Sequence, residues 1–155
     1  MKKIASFTVN HDTLTEGIYV SRIDGDVTTY DLRTRVPNNG DYMDNLTMHS
    51  VEHMLATHLR NGSIADRIIY FGPMGCQTGF YLLTRDVAPT AVYHEVLAVL
   101  EKIIAHEGAV FGASEVECGN YRNLTLDAAQ IEAKQYLDVL RARGETDFSY
   151  DGGAI

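Results

Sequence analysis

His49, Glu52 and His53 have the spacing that most directly suggests chemistry: on an α-helix, side chains three and four positions apart project from one face, so the three converge. Two imidazoles one turn apart can bind one divalent metal, and the carboxylate between them can reach a metal-bound water or a substrate proton. His49-Ser50-Val51-Glu52-His53 has the H-x-x-E-H order of the inverted zinc-peptidase helices. Helical histidines are also common as solvated or core-satisfied groups, and a five-residue pattern arises by chance. Leu46, Val51, Leu55 and Leu59 favour the metal, because they bury the same helix and a buried ionisable group needs a partner.

An open catalytic centre takes three protein ligands, so a third must come from elsewhere. Cys118, in Glu117-Cys118-Gly119, is the candidate: a thiolate is a strong ligand, and the glycine lets backbone approach closely. Cys76 stands between glycines in Gly75-Cys76-Gln77-Thr78-Gly79, where a turn feeds a strand. A divalent cation nearby would lower the pKa of such a thiol and suit it to proton transfer. Either cysteine alone also reads as a small buried hydrophobe. His58, His94 and His106 read as structural or solvated, and pattern does not place His11.

These residues need elements to hold them. Ser6–Val9, Ile18–Ile23 and Val27–Val36 carry β-branched and aromatic residues, with Asp24-Gly25 as a hairpin signal between the last two. After the breaker Pro37-Asn38-Asn39-Gly40, the apolar residues Leu46, Met48, Val51, Leu55 and Leu59 recur at helical spacing, with Asp44 or Asn45 to cap the start and Gly62 to end it. Arg67–Phe71 and Cys76–Thr84 read as strands joined by the turn Gly72-Pro73-Met74-Gly75. Two helices follow. Thr90–Glu107 has the stripe Val92, Val96, Val99 and Ile103, and Thr125–Arg143 has Ala128, Ile131, Leu137 and Leu140. The expectation is one α+β domain over residues 1–155, an antiparallel sheet against helices with the metal helix on the sheet and a polar, fraying tail at Glu145–Ile155.

The composition bounds the function. With 155 residues, 45% hydrophobic and 22% charged, the chain has material for one core. A net charge of -8 without clustered Lys or Arg disfavours nucleic acid and anionic membranes as partners. Two cysteines make no disulfide framework, and a reducing, cytoplasmic compartment fits. No long apolar run suggests a signal peptide or a membrane anchor.

With these residues in view, the chain resembles S-ribosylhomocysteine lyase, the LuxS family that makes the autoinducer-2 precursor of quorum sensing. The resemblance is carried by Ser6-Phe7 with His11, Tyr30-Asp31-Leu32-Arg33 before Pro37-Asn38, His49-Ser50-Val51-Glu52-His53, Pro73-Met74-Gly75-Cys76-Gln77-Thr78-Gly79-Phe80-Tyr81 and Glu117-Cys118-Gly119. Five matches in order are far more specific than one. The resemblance implies His49, His53 and Cys118 as ligands of Fe(II), with Zn(II) or Co(II) able to substitute. It implies Glu52 and Cys76 as the proton carriers, and a homodimer in which Ser6, Phe7 and His11 come from the partner chain while Arg33 helps hold substrate near the thiol. S-ribosylhomocysteine would be cleaved to homocysteine and 4,5-dihydroxy-2,3-pentanedione by carbonyl migration and β-elimination, a reaction of the activated methyl cycle whose role, signalling or recycling of a toxic metabolite, the residues leave open. Tyr70 departs from the pattern, standing where an Asp is expected six residues before Cys76.

Two other readings remain open. An inverted-motif metallopeptidase would use Glu52 to activate water and needs a glutamate as third ligand, for which Glu132 is the candidate. A non-catalytic dimeric module would close the metal with four protein ligands, Cys76 being the fourth.

Overall fold

The computed structural model describes residues 1–145 and 147–150. Its order is β1 (Gly17–Asp24), β2 (Val27–Arg33), α1 (Asn45–Leu59), β3 (Ile68–Pro73), β4 (Gly79–Arg85), α2 (Pro89–Ile104) and α3 (Leu126–Arg143), with short 3-10 turns at Ala5–Phe7, Ala65–Arg67 and Tyr121–Asn123. The sheet runs β1-β2-β4-β3 with every neighbouring pair antiparallel, as the α+β expectation requires.

The hairpin signal holds: Asp24 pairs with Val27, and Gly25 turns with φ +63°. Tyr30 and Leu32 point into the core shared with Val51 and Leu55 of α1, while alternation sends Asp31 and Arg33 to the opposite face. Arg33 pairs with Gly79, where a Cβ would lie 2.6 Å from the Leu32 carbonyl. Only glycine permits that approach, and it sets Arg33 beside the Cys76 turn.

Asp44 caps α1 by accepting from the Thr47 amide at 2.7 Å, and Met48, Val51, Met54, Leu55 and Leu59 are buried. Pro89 opens α2, whose Val92, Val96, Val99 and Ile103 are fully buried as the stripe predicts. Thr125 caps α3. No helix among the described residues is long and apolar enough to cross a membrane.

Four expectations need correcting. Ser6–Val9 is no strand: Ala5–Phe7 is a 3-10 turn, with the Thr8 amide bonded to the Ala5 carbonyl. Cys76 lies in the tight turn before β4, where the Gln77 amide bonds the Met74 carbonyl and Gln77 takes φ +65°. Gly72 and Pro73 belong to edge strand β3, where a proline costs no inner ladder bond. In α3 the buried stripe is Ala129, Glu132, Ala133, Tyr136, Leu137 and Leu140, leaving Ile131 exposed. The phase differs because Glu132 enters the core paired with Arg35, both contacts at 2.5 Å.

The tail is docked over 147–150. The Phe148 carbonyl accepts from the Val20 amide at 2.7 Å, beside the β1 bulge, and Tyr150 stacks on Tyr19 with ring centroids 5.1 Å apart. The rest of the tail expected to fray, 146 and 151–155, lies outside the described residues.

His58 carries a pH dependence. Burial first, then Lys102 and His106, lowers its pKa below the ordinary 6.5, and its Nε2 is buried without a hydrogen-bond partner among the described residues. Below pH 6.5 the unfolded chain therefore binds more protons at this site, and stability falls as pH drops through that window. Replacing His58 by Gln is expected to flatten the melting temperature against pH between about pH 7 and 5. An unchanged slope by calorimetry would assign the effect elsewhere.

Candidate metal centre and thiol cleft

His49 and His53 stand one turn apart on α1, ring centroids 4.7 Å apart and nearly perpendicular. Each anchors Nδ1 on a backbone carbonyl: His49 on Asn123 at 3.2 Å and His53 on Phe111 at 2.8 Å. Those carbonyls accept only from Nδ1–H, so each neutral ring carries its lone pair on Nε2, the tautomer a metal ligand needs. Cys118 Sγ lies 3.4 Å from His49 Nε2, and ligand atoms of His49, His53 and Cys118 all fall within 4.8 Å of one another. The Asn120 amide donates to Cys118 Sγ at 3.4 Å, which helps fix the position of the sulfur. Two imidazole nitrogens and one sulfur, oriented from behind, fit a borderline divalent cation with room for an exchangeable ligand.

The segment from 111 to 118 builds the far wall. Gly112 has φ +68°, and a Cβ there would sit 3.1 Å from His53 Nδ1, so glycine keeps the Phe111 carbonyl close to the ring. The Cys118 amide bonds the Ser114 carbonyl at 3.0 Å, which fixes the turn presenting the sulfur. Asn123, Phe111 and Gly112 escaped sequence reasoning, since a backbone carbonyl leaves no residue-type signature.

Glu52 is half-buried on the same face of α1. It lines a cleft of about 230 Å³ with Asn45, Met48, His49, Pro73, Asn120 and Asn123. The exposed Cys76 opens on a second cleft of about 400 Å³, lined also by Ser6, Phe7, His11, Arg33, Tyr81 and Tyr150. Pro73 borders both clefts. Ser6, Phe7 and His11 therefore stand beside the Cys76 of their own chain, although the resemblance assigns them to a partner. Tyr70 is exposed and folds over Gly72, lining a neighbouring groove rather than the Cys76 cleft.

Behind Cys76 lies a buried polar network. Cys76 Sγ is 3.0 Å from Thr78 Oγ1 and 3.8 Å from Arg33 Nη1, which donates to Thr78 Oγ1 at 2.7 Å. Arg33 Nε and Nη2 fork onto Asp31 at 3.1 and 2.5 Å, with the two side chains only 3% and 1% exposed. Burial raises the Asp31 carboxyl above its usual range against the pull of Arg33; burial also works to lower the Arg33 guanidinium, but Asp31 outweighs it and the net direction is up. The bidentate geometry is that of an ionised pair. Removing either partner of such a pair costs about 3–5 kcal/mol, because the survivor is left uncompensated. Asp31 and Thr78 enter the sequence analysis only inside the matched motifs, with no role of their own, although Asp31-x-Arg33 on one strand face carries a signal.

Both alternatives lose support on geometry. Glu132 is held by Arg35 and is not part of the ligand group. Cys76 is not in that group either, so among the described residues the cluster has three members, the open form rather than the closed one.

A helical histidine pair and a distant cysteine, set on an α+β frame with a carboxylate and a thiol in adjoining clefts, fit the class of proteins with an open metal centre. The chain belongs to a particular family of that class: a family model described as S-Ribosylhomocysteinase (LuxS) matches residues 4–146. A protein of Desulfotalea psychrophila named S-ribosylhomocysteine lyase is 46% identical over 162 residues, covering 97% of this chain and 99% of the relative. Relatives with the same name from Clostridium acetobutylicum and Borreliella burgdorferi are 44% and 41% identical over 156 residues, with the same coverage.

Proposed function

We infer that this chain cleaves the thioether of S-ribosylhomocysteine, releasing homocysteine and 4,5-dihydroxy-2,3-pentanedione, the autoinducer-2 precursor. The observation that carries the reading is the convergence of His49, His53 and Cys118 at one point, with Glu52 and Cys76 in clefts that share Pro73. His49, His53 and Cys118 would hold a divalent metal, which when bound would supply Lewis-acid polarisation of a substrate oxygen as charge develops there.

The chain's own groups move the protons. Cys76 as thiolate takes the proton from C2 of the aldose and returns one at C1, giving the 2-ketone; a second transfer from C3 to C2 carries the carbonyl to C3. The C4 proton is then acidic, and Glu52 removes it as the C5–S bond breaks and homocysteine leaves as the thiolate, to be protonated. The enol left behind tautomerises to the diketone. Two bases serve three proton abstractions on neighbouring carbons better than one. Arg33, fixed by Asp31, offers positive charge beside the thiol, and Ser6, Phe7 and His11 form the wall facing it.

Fe(II) is the metal in this reading, with Zn(II) or Co(II) accommodated by the same two nitrogens and one sulfur. Elemental analysis of anaerobically purified protein distinguishes them, and stoichiometric zinc without iron would reject the iron assignment. Residues 1–155 act as one catalytic unit in a reducing cytoplasm. Two copies associate over the exposed Ile4, Phe7 and Tyr70 that flank the clefts. Light scattering should give twice the 17.2 kDa chain mass, and a monomer would refute the dimer.

Incubating metal-loaded protein with S-ribosylhomocysteine under anaerobic conditions tests the activity itself. Free thiol should appear as homocysteine with an equal amount of diketone. Peptide hydrolysis dependent on Glu52, with no thiol release, would instead favour the peptidase.

A further inference from the structure

We propose that Tyr150, in the tail beyond α3, is a positioning residue for the Cys76 thiol. Its hydroxyl donates to Asp31 Oδ2 at 2.9 Å, on the same oxygen that takes Arg33 Nη2 at 2.5 Å. The ring lines the Cys76 cleft and stacks on Tyr19, which in turn bonds the Thr15 carbonyl through its own hydroxyl at 2.9 Å. The tail is held in register by the Phe148 carbonyl on the Val20 amide. A continuous chain thus runs from Tyr150 through Asp31 and Arg33 to Thr78 and Cys76.

The weak link explains why a hydroxyl three steps away matters. Arg33 Nη1 sits 2.7 Å from Thr78 but 3.8 Å from Cys76 Sγ, so the N–H···S contact survives only while the guanidinium keeps its orientation. That orientation is set by the Asp31 fork. Asp31 Oδ2 has two donors, and without Tyr150 a buried carboxylate oxygen loses one of them. The carboxylate then turns or pulls harder on Arg33, and either response weakens the positive charge that Arg33 presents to the sulfur. Burial, then the Asp31 charge, raises the pKa of Tyr150 far above the ordinary 10.0, so the hydroxyl stays a donor at all working pH values. Among the described residues, His11, Tyr81 and the buried Tyr136 also interact with the charges of this network.

The proposal deepens the lyase reading and rests on it for the catalytic consequence, but not for the effect on the thiol. The test is Tyr150→Phe in the full chain, which keeps the stacking ring and removes the hydroxyl. Iodoacetamide modification, resolved by peptide mass spectrometry between Cys76 and Cys118, should slow at Cys76 about three- to tenfold at pH 7, with its pH profile displaced upward. kcat should fall by a similar factor while KM stays within about twofold. Ser149→Ala, which alters the same tail but leaves Tyr150 intact, should match wild type in both readouts. Unchanged Cys76 modification in a folded, metal-loaded Tyr150→Phe would overturn the proposal, as would an equal loss in Ser149→Ala. Slower modification in a protein whose wild type releases no homocysteine would keep Tyr150's role and reject the lyase reading.

Discussion

Replacing Cys118 by Ala is expected to lower metal affinity about a hundredfold or more and to remove homocysteine release with it. Four-ligand structural sites bind zinc with roughly 10–16 kcal/mol, so one ligand accounts for about 3 kcal/mol, and each 1.4 kcal/mol is tenfold. Cys118 supplies the sulfur of the group, within 3.4 Å of His49 Nε2. The fold should survive, because the turn presenting Cys118 is held by its backbone amide on the Ser114 carbonyl and by Ser114 Oγ donating to Glu117 at 2.5 Å. Full metal occupancy in the variant after dialysis would show that the ligand set is wrong.

Cys76→Ala should behave in the opposite way: metal content at the wild-type level and turnover down about 10²–10⁴-fold, the usual share of one general acid–base group. The side chain is exposed and lies outside the ligand group, so its loss leaves the His49/His53/Cys118 cluster untouched. Arg33 keeps its bonds to Asp31 and Thr78, and the melting temperature should change little. Wild-type kcat in a metal-replete Cys76→Ala would remove the thiol from the reaction. The pair of variants separates holding the metal from moving protons.

The helix that carries the site was legible because its signals agree: the Asp44 cap, the apolar stripe and the i, i+3, i+4 spacing all describe α1. The position of Cys118 was not. It lies 69 residues from His49, and spacing rules reach only along one element. Thiolate chemistry made Cys118 a candidate and the family resemblance named it again, but only the fold sets its Sγ 3.4 Å from His49 Nε2. The N-terminal segment misled because short alternating residues read as a strand whether or not a partner strand exists to pair with them. Ile131 misled because apolar character alone was counted, while the true face of α3 includes Glu132, made acceptable to the core by Arg35. Tyr150 sat in a polar tail with no periodicity, so its bond to Asp31 had no local signal at all. Asp31-x-Arg33 is the opposite case: two opposite charges on one face of a central strand, surrounded by apolar residues, mark a buried pair that the pattern could have shown.

The most direct measurement is homocysteine release from one anaerobic preparation before chelation, after it, and after a divalent metal is restored. Release with equimolar diketone should be present, lost and regained in step with bound metal, on a chain whose circular dichroism does not change. Release that persists after complete metal removal, or none from fully loaded protein, would contradict the account.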